Sequence, residues 1–124
     1  MGSIPRDVDA FTMLAGASVT DGQFGKQSAG KIIPCSVLGE RADCIIGSTQ
    51  ATVGGAVDCL PRSGRLAYVT VGAVAVAQDA ELTPDANGLA KTAISTNIVR
   101  AKALVAGGAG ATIPVLWVDA YAKP

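Results

Sequence analysis

Short runs of β-branched and small apolar residues, separated by turn-forming residues, are the feature that most constrains the fold of this 124-residue chain. Val, Ile and Thr alternate with polar or small residues, and Gly, Pro, Asn or Asp interrupts the pattern roughly every eight to twelve positions. A helical period is weak by comparison. The pattern therefore predicts a mainly β fold, either a small antiparallel β-barrel or a sandwich.

The same pattern predicts how the chain is divided. Residues 1–10 are polar and contain Pro5, so we expect a flexible N-terminal arm, followed by a single β-rich domain over residues 11–124. The predicted strands are residues 11–14, 31–38, 44–46, 56–60, 65–71, 73–77, 89–93, 99–105 and 111–118. Two segments keep a helical alternative: a short helix over residues 98–105 and a single helical turn over residues 38–43.

The stretch GKQSAGKI, from Gly25 to Ile32, has the glycine and lysine spacing of a phosphate-binding loop, G-x-x-x-x-G-K-[ST], except at Ile32. A working loop lies between a buried strand and a helix, whose N-terminal N–H groups meet the phosphates. The preceding residues, VTDGQF, are polar and turn-like, and Pro34 follows too soon for a helix. Ile32 also lacks the hydroxyl that would hold Mg²⁺. We interpret the stretch as a flexible loop that leads into a strand, and expect no nucleotide site.

The charged residues argue against several classes of function. Ten Lys plus Arg balance ten Asp plus Glu, and His is absent, so the chain has neither a basic surplus for nucleic acid nor an imidazole for acid/base or metal chemistry. Ser and Thr have no candidate base, and the acidic residues form no recognisable catalytic pair. We therefore expect that the protein is not an enzyme and has no catalytic residue, cofactor, metal or small-molecule substrate.

Charged residues make up only 16% of the chain, whereas a typical soluble domain has roughly a quarter. Two interpretations remain open. Other subunits or a partner cover part of the surface, or a core of small residues lies beneath a neutral surface of Ser, Thr and Gly.

Cysteine usage and hydropathy predict the compartment. Cys35, Cys44 and Cys59 lie among apolar residues without a C-x-x-C pair, which predicts buried free thiols in a reducing compartment. The N-terminus lacks a secretory pattern, and the most apolar window, residues 66–77, is too short for a bilayer. We expect an intracellular, soluble protein that has no membrane partner.

Aromatic residues are few and lie mainly near the two ends of the chain. Phe11 and Phe24 are near the start, and Trp117 and Tyr121 are near the C-terminus. They are candidates either for core anchors or for interface anchors, since Trp and Tyr dominate binding hot spots.

Two runs in the second half of the chain carry a resemblance. GAVAVAQDAELTPDANGLA, from Gly72, contains an L-T-x-D-x-x-G hairpin, and AKALVAGGAGATIPVLW, from Ala101, contains a final G-x-x-I-x-V strand. With GQFGK at residues 22–26 and IIG at residues 45–47, they make residues 15–118 similar to bacteriophage capsid decoration, or cement, proteins. One departure is Gln78-Asp79, where that family often has Gly-Asp.

The resemblance implies a small β-tulip-like domain that binds the outer surface of an expanded phage head and stabilises it, as a trimer at three-fold positions. The partners would be the major capsid protein and further copies of the chain, and the protein would reside on the virion after assembly in the host cytoplasm. The arm would become ordered against the capsid on binding. The candidate residues for a capsid or subunit interface are Ile4, Pro5, Phe11, Phe24, Trp117 and Tyr121. The alternative function is a small oligomeric β-barrel module that binds proteins in a cellular complex.

Overall fold

The computed structural model describes residues 11–60 and 65–124, which form two antiparallel sheets of five strands each. The strands of the first sheet are β1 (Phe11–Leu14), β2 (Phe24–Ser28), β3 (Lys31–Pro34), β4 (Cys44–Ile46) and β5 (Ala56–Leu60). Those of the second are β6 (Leu66–Thr70), β7 (Glu81–Pro84), β8 (Ala90–Thr92), β9 (Ile98–Ala103) and β10 (Thr112–Ala122). Neither range contains a helix, so neither contains one that is long and apolar enough to cross a membrane.

The prediction of a mainly β fold is confirmed, and the architecture is a sandwich rather than a closed barrel. The bounds of β1, β4 and β5 agree with the sequence prediction. Residues 98–105 contain the strand β9 and not a helix. Residues 38–43 hold no helical turn; instead, the N–H of Glu40 donates to the carbonyl oxygen of Val37 at 3.2 Å in a tight turn. The arm predicted at residues 1–10 lies outside the described residues.

The strand predictions are wrong twice between residues 73 and 84. Residues 73–77 form no strand, because Val74 is exposed and only Val76 pairs, through a single bridge to Gly107. Conversely, no strand is predicted over residues 81–84, which form β7 and end it at Pro84. The side chains of Thr83 and Pro84 are buried, so burial outweighs the low strand preference of proline.

The two sheets repeat the same strand order. The first has the order β1-β5-β4-β2-β3, and the second has the order β6-β10-β9-β7-β8, which is the same order with β6 to β10 in place of β1 to β5. The edge strands also approach each other in the same way, through a parallel bridge between Ala15 and Ile32 in one sheet and between Val71 and Ala90 in the other. Residues 11–60, the first half, and residues 65–124, the second half, are therefore two versions of one five-stranded unit.

Hydrogen bonds of the turns repeat as well. The N–H of Gly54 donates to the carbonyl oxygen of Ala15 at 2.8 Å, and the N–H of Gly110 donates to that of Val71 at 3.0 Å. Both glycines have a positive φ, 90° and 78°, a conformation that glycine adopts without steric cost. The same backbone path thus requires glycine at the same place in both halves.

Each half has its own interior, built from corresponding positions. In the first half the buried interior residues are Ala15, Val19, Ile32, Cys44, Ile46, Val57 and Cys59. The corresponding residues of the second half, also buried, are Val71, Val76, Ala90, Ala101, Ala103, Ile113 and Val115. Alternate residues of each strand supply these side chains, as expected for a sheet that buries one face.

The junction between the halves uses the other face of the first sheet. Phe24 and Ile45 are register partners on β2 and β4, are fully buried, and pack with the interior of the second half. The corresponding register partners on β7 and β9 are Glu81 and Lys102. The outer face of the first sheet therefore packs against the interior face of the second sheet. The corresponding outer face of the second sheet carries charged residues instead.

Candidate interaction surface

The stretch GKQSAGKI is a β-hairpin and not a flexible loop. β2 and β3 pair from Gly25–Pro34 to Ser28–Lys31, and Ala29 and Gly30 form the turn with φ values of 51° and 78°. Positive φ at both positions is typical of a two-residue type I′ turn. A strand follows the glycine where a phosphate-binding loop has a helix, so the N–H groups of the hairpin pair across strands rather than converge on an anion.

Lys26 of this hairpin has a partner inside the chain. Its Nζ lies 2.8 and 3.0 Å from the two carboxylate oxygens of Glu40 and 3.2 Å from Oγ of Ser36. Glu40 also accepts hydrogen bonds from the N–H groups of Ser36 and Val37, at 2.7 and 2.8 Å. Partial burial opposes ionisation, but the hydrogen bonds from Lys26, Val37 and Ser36 outweigh it and hold the pKa of Glu40 below its usual range. Lys26 therefore fixes the turn at residues 36–40 to β2.

The three cysteines are buried and free, as predicted. Burial, with a smaller contribution from Glu40, raises the pKa of Cys35 to about 12, so this thiol is protonated at neutral pH. A hydrogen bond with Cys59, together with burial, raises the pKa of Cys44. Within residues 11–60 and 65–124, no three His, Cys, Asp or Glu side chains are grouped so that they could hold a metal ion. The thiols thus serve as small apolar core residues.

Phe24 and Trp117, two of the candidate interface residues, lie together at the junction of the halves. Phe24 is fully buried, and its ring centroid is 6.4 Å from that of Trp117, with the planes tilted by 32°. Trp117 is half-buried, and the guanidinium of Arg100 lies 4.3 Å from the centre of its ring, within cation–π distance. Phe24 therefore takes the core role and presents no surface to a partner, whereas Trp117 keeps part of its indole accessible.

Tyr121 belongs to a separate charged cluster near the end of β10. It is 42% exposed, its hydroxyl donates to the carboxylate of Glu81, and Lys123 pairs with the same carboxylate. Hydrogen bonds from Lys123 and, to a smaller extent, from Tyr121 lower the pKa of Glu81. The hydrogen bond to Glu81 also raises the pKa of Tyr121.

The remaining candidates are the residues of the chain start. Phe11 begins β1, and Ile4 and Pro5 lie outside the described residues. Among the six candidates, the structure therefore brings Phe24 and Trp117 into ring contact.

An exposed apolar groove, which sequence reasoning missed, is lined by residues of both halves. It has a volume of about 540 Å³, and its walls include Leu60, Leu66, Tyr68, Leu104 and Pro114. Leu66 and Tyr68 are 66% and 61% exposed, although both are large and apolar. We call this feature the β6 groove. Its residues come from six separate parts of the chain, so that only the alternation in LAYVT, with apolar residues on both faces of β6, indicated it in the sequence.

The fold does not require apolar side chains at these positions. Tyr68 and Pro114 are register partners on β6 and β10, and the corresponding partners on β1 and β5 are Thr12 and Asp58. One copy of the unit folds with polar residues at these places. The apolar residues of the other copy are therefore better explained by contact with a further segment or protein that covers them.

Comparison with known proteins adds evidence on the fold. No protein-family model and no curated protein matches the chain. Among solved structures, it is similar to the N base of head fiber gp8.5 of bacteriophage phi29, with a TM-score of 0.69. The two chains share a fold. The likeness covers 88% of this chain and 92% of that one at 15% sequence identity, so it includes both halves.

Proposed function

We propose that the chain is a structural protein of a bacteriophage virion that binds the outer surface of the expanded head and stabilises it. The observation that carries the proposal is the fold shared with a phage head fiber base over nearly the whole of both chains. Fold alone is a weak guide to function. Here it coincides with the independent resemblance of residues 15–118 to capsid decoration proteins.

The surface supports an assembled state. Val74 and Ile94, which lie outside the β6 groove, are each more than half exposed, and only 16% of the chain is charged. Large exposed apolar side chains are typical of surfaces that other proteins cover. We propose that further copies of the chain and the major capsid protein cover them.

We propose that the assembly is a trimer at three-fold positions of the head. Three modest contacts within one assembly act at high effective concentration, so attachment can be firm even though each contact is weak. Such a role needs no catalytic residue and no cofactor, and we propose that the protein is not an enzyme.

Binding to empty heads of the phage that encodes the chain tests this function. Purified protein is mixed with expanded and with unexpanded shells, and each mixture is sedimented. We expect the protein to sediment with expanded shells and to raise the temperature at which they break, while it stays in solution with unexpanded ones. Failure to bind either shell would exclude the proposed role.

The oligomeric state is tested separately by sedimentation velocity. We expect a species with three times the 12.4 kDa mass of one chain. A monomer at the concentrations that saturate expanded shells would exclude the trimer, while leaving attachment to the head intact.

A further inference from the structure

We propose that the β6 groove binds the N-terminal segment of the same chain, residues 1–10, mainly through Ile4 and Pro5. This inference does not rest on attachment to a phage head. It would give Ile4 and Pro5 a binding site within their own subunit.

The groove has the properties of a surface that needs a cover. β6 is an edge strand of the second sheet, and its outward residues Leu66 and Tyr68 stay largely exposed within residues 11–60 and 65–124. Exposed apolar edge strands favour aggregation, and proteins commonly cover them with another segment. The corresponding position of Tyr68 in the first half is Thr12, so the exposed tyrosine is specific to this edge.

The start of the described chain lies next to the groove. Phe11 pairs with Cys59, and the next residue on that strand, Leu60, forms a wall of the groove. Neighbouring strands are about 5 Å apart, so the ten preceding residues join the fold roughly one strand spacing from the groove. Ten residues span up to about 33 Å when extended, which is enough to cross it.

The sequence of the segment fits the chemistry of the groove. Ile4 precedes Pro5, and a residue before proline is restricted to extended conformations, so binding costs little backbone entropy. Extended segments that contain proline bind grooves lined by aromatic and apolar side chains, which Tyr68 and its neighbours supply here. Arg6 follows directly, and the acidic residue Asp21 is among those that line the groove, so the segment and the groove carry opposite charges.

Limited proteolysis of the full chain tests the proposal. Trypsin cleaves after Arg6, and the cleavage rate is compared with that of a synthetic peptide of residues 1–10. We expect cleavage in the protein to be at least about tenfold slower, corresponding to about 1.4 kcal/mol of protection. Tyr68→Ala should restore most of the rate. Val74→Ala removes an equally exposed apolar side chain outside the groove and should leave the rate unchanged.

Photo-crosslinking identifies what the segment contacts. With Ile4→p-benzoylphenylalanine, we expect crosslinks within one chain to the peptides that carry Leu66 and Tyr68. Crosslinks that join two chains would show that a second copy supplies the segment, and would overturn the proposal as stated. Cleavage after Arg6 at the rate of the free peptide, or crosslinks that avoid the groove, would also overturn it.

Discussion

The two halves of the molecule have the same strand order and the same turn glycines, but they present opposite surfaces at corresponding positions. Phe24 and Ile45 in the first half are buried against the second half, whereas Glu81 and Lys102 occupy those places in the second half. Terminal units of repeat proteins likewise need a polar outer face, because no further unit covers them. The difference shows how one unit serves as an inner layer in its first copy and as a closing layer in its second.

The interiors of the halves also fill space differently. Ile32 and Ile46 in the first half correspond to Ala90 and Ala103 in the second. The second interior is completed by a side chain of the first sheet, since Phe24 packs with it beside the half-buried Trp117 of β10. Small residues in one copy thus make room for large residues at the junction.

The largest expected effect is a difference in stability between substitutions at two corresponding positions, Phe24 at the junction and Glu81 in the second half. Phe24→Ala should lower the free energy of unfolding by about 3–5 kcal/mol, because it leaves a cavity between the halves. Glu81→Ala, at the corresponding position, should cost about 1 kcal/mol or less, because its ion pair with Lys123 is partly solvated. Urea-induced unfolding measures both. Equal losses would contradict the assignment of inner and outer copies.

A smaller effect is expected from making the two interiors alike. Ala103→Ile introduces the residue found at the corresponding position, Ile46, yet it should destabilise the protein by about 1–3 kcal/mol, because the second interior is already filled by side chains from the junction. The matched control, Ile46→Val, should cost about 0.5–1.5 kcal/mol. A neutral or stabilising Ala103→Ile would show that the second interior has unfilled space.

The smallest expected effect is in the pH dependence of the first half. The folded pKa of Glu40 lies below its unfolded value of 4.5, so its stabilisation is complete above that value and is lost as pH falls through the folded pKa. Glu40→Gln should therefore lower stability by about 1 kcal/mol at pH 7 and have less effect in acid.

The control for this prediction lies at the corresponding place in the second half. Lys26, the partner of Glu40, corresponds to Thr83, a buried residue whose hydroxyl donates to the carbonyl oxygen of Ile98 at 2.8 Å. Thr83→Val should have the same cost at every pH from 3 to 7, since threonine does not titrate. A parallel loss for Glu40→Gln over this range would contradict the role of its carboxylate.

The sequence was sufficient for fold class and for strands with regular alternation, such as β4 and β5. It was misleading where polar residues lie in paired strands: Lys26 and Gln27 suggested a loop, but cross-strand pairing makes them part of β2. Val74 and Val76 gave an alternating pattern without a neighbouring strand to pair with, which periodicity alone does not reveal.

The duplication was not predicted because the halves preserve the backbone path and not the side chains. Phe24 corresponds to Glu81, and Tyr68 corresponds to Thr12, so the paired strands show little similarity in sequence. One signal was present: Ile4-Pro5-Arg6 and Leu60-Pro61-Arg62 stand equally far before Phe11 and Ala67, which are corresponding residues. The β6 groove could not be predicted either, because its walls meet only after both sheets form.

The proposed role on the phage head is tested most directly by a cryo-electron microscopy reconstruction of the virion that the encoding phage produces. The account predicts density for the two five-stranded sheets on the outer surface of the head, repeated around the three-fold positions. Absence of the chain from purified virions, or density confined to another part of the particle, would contradict it.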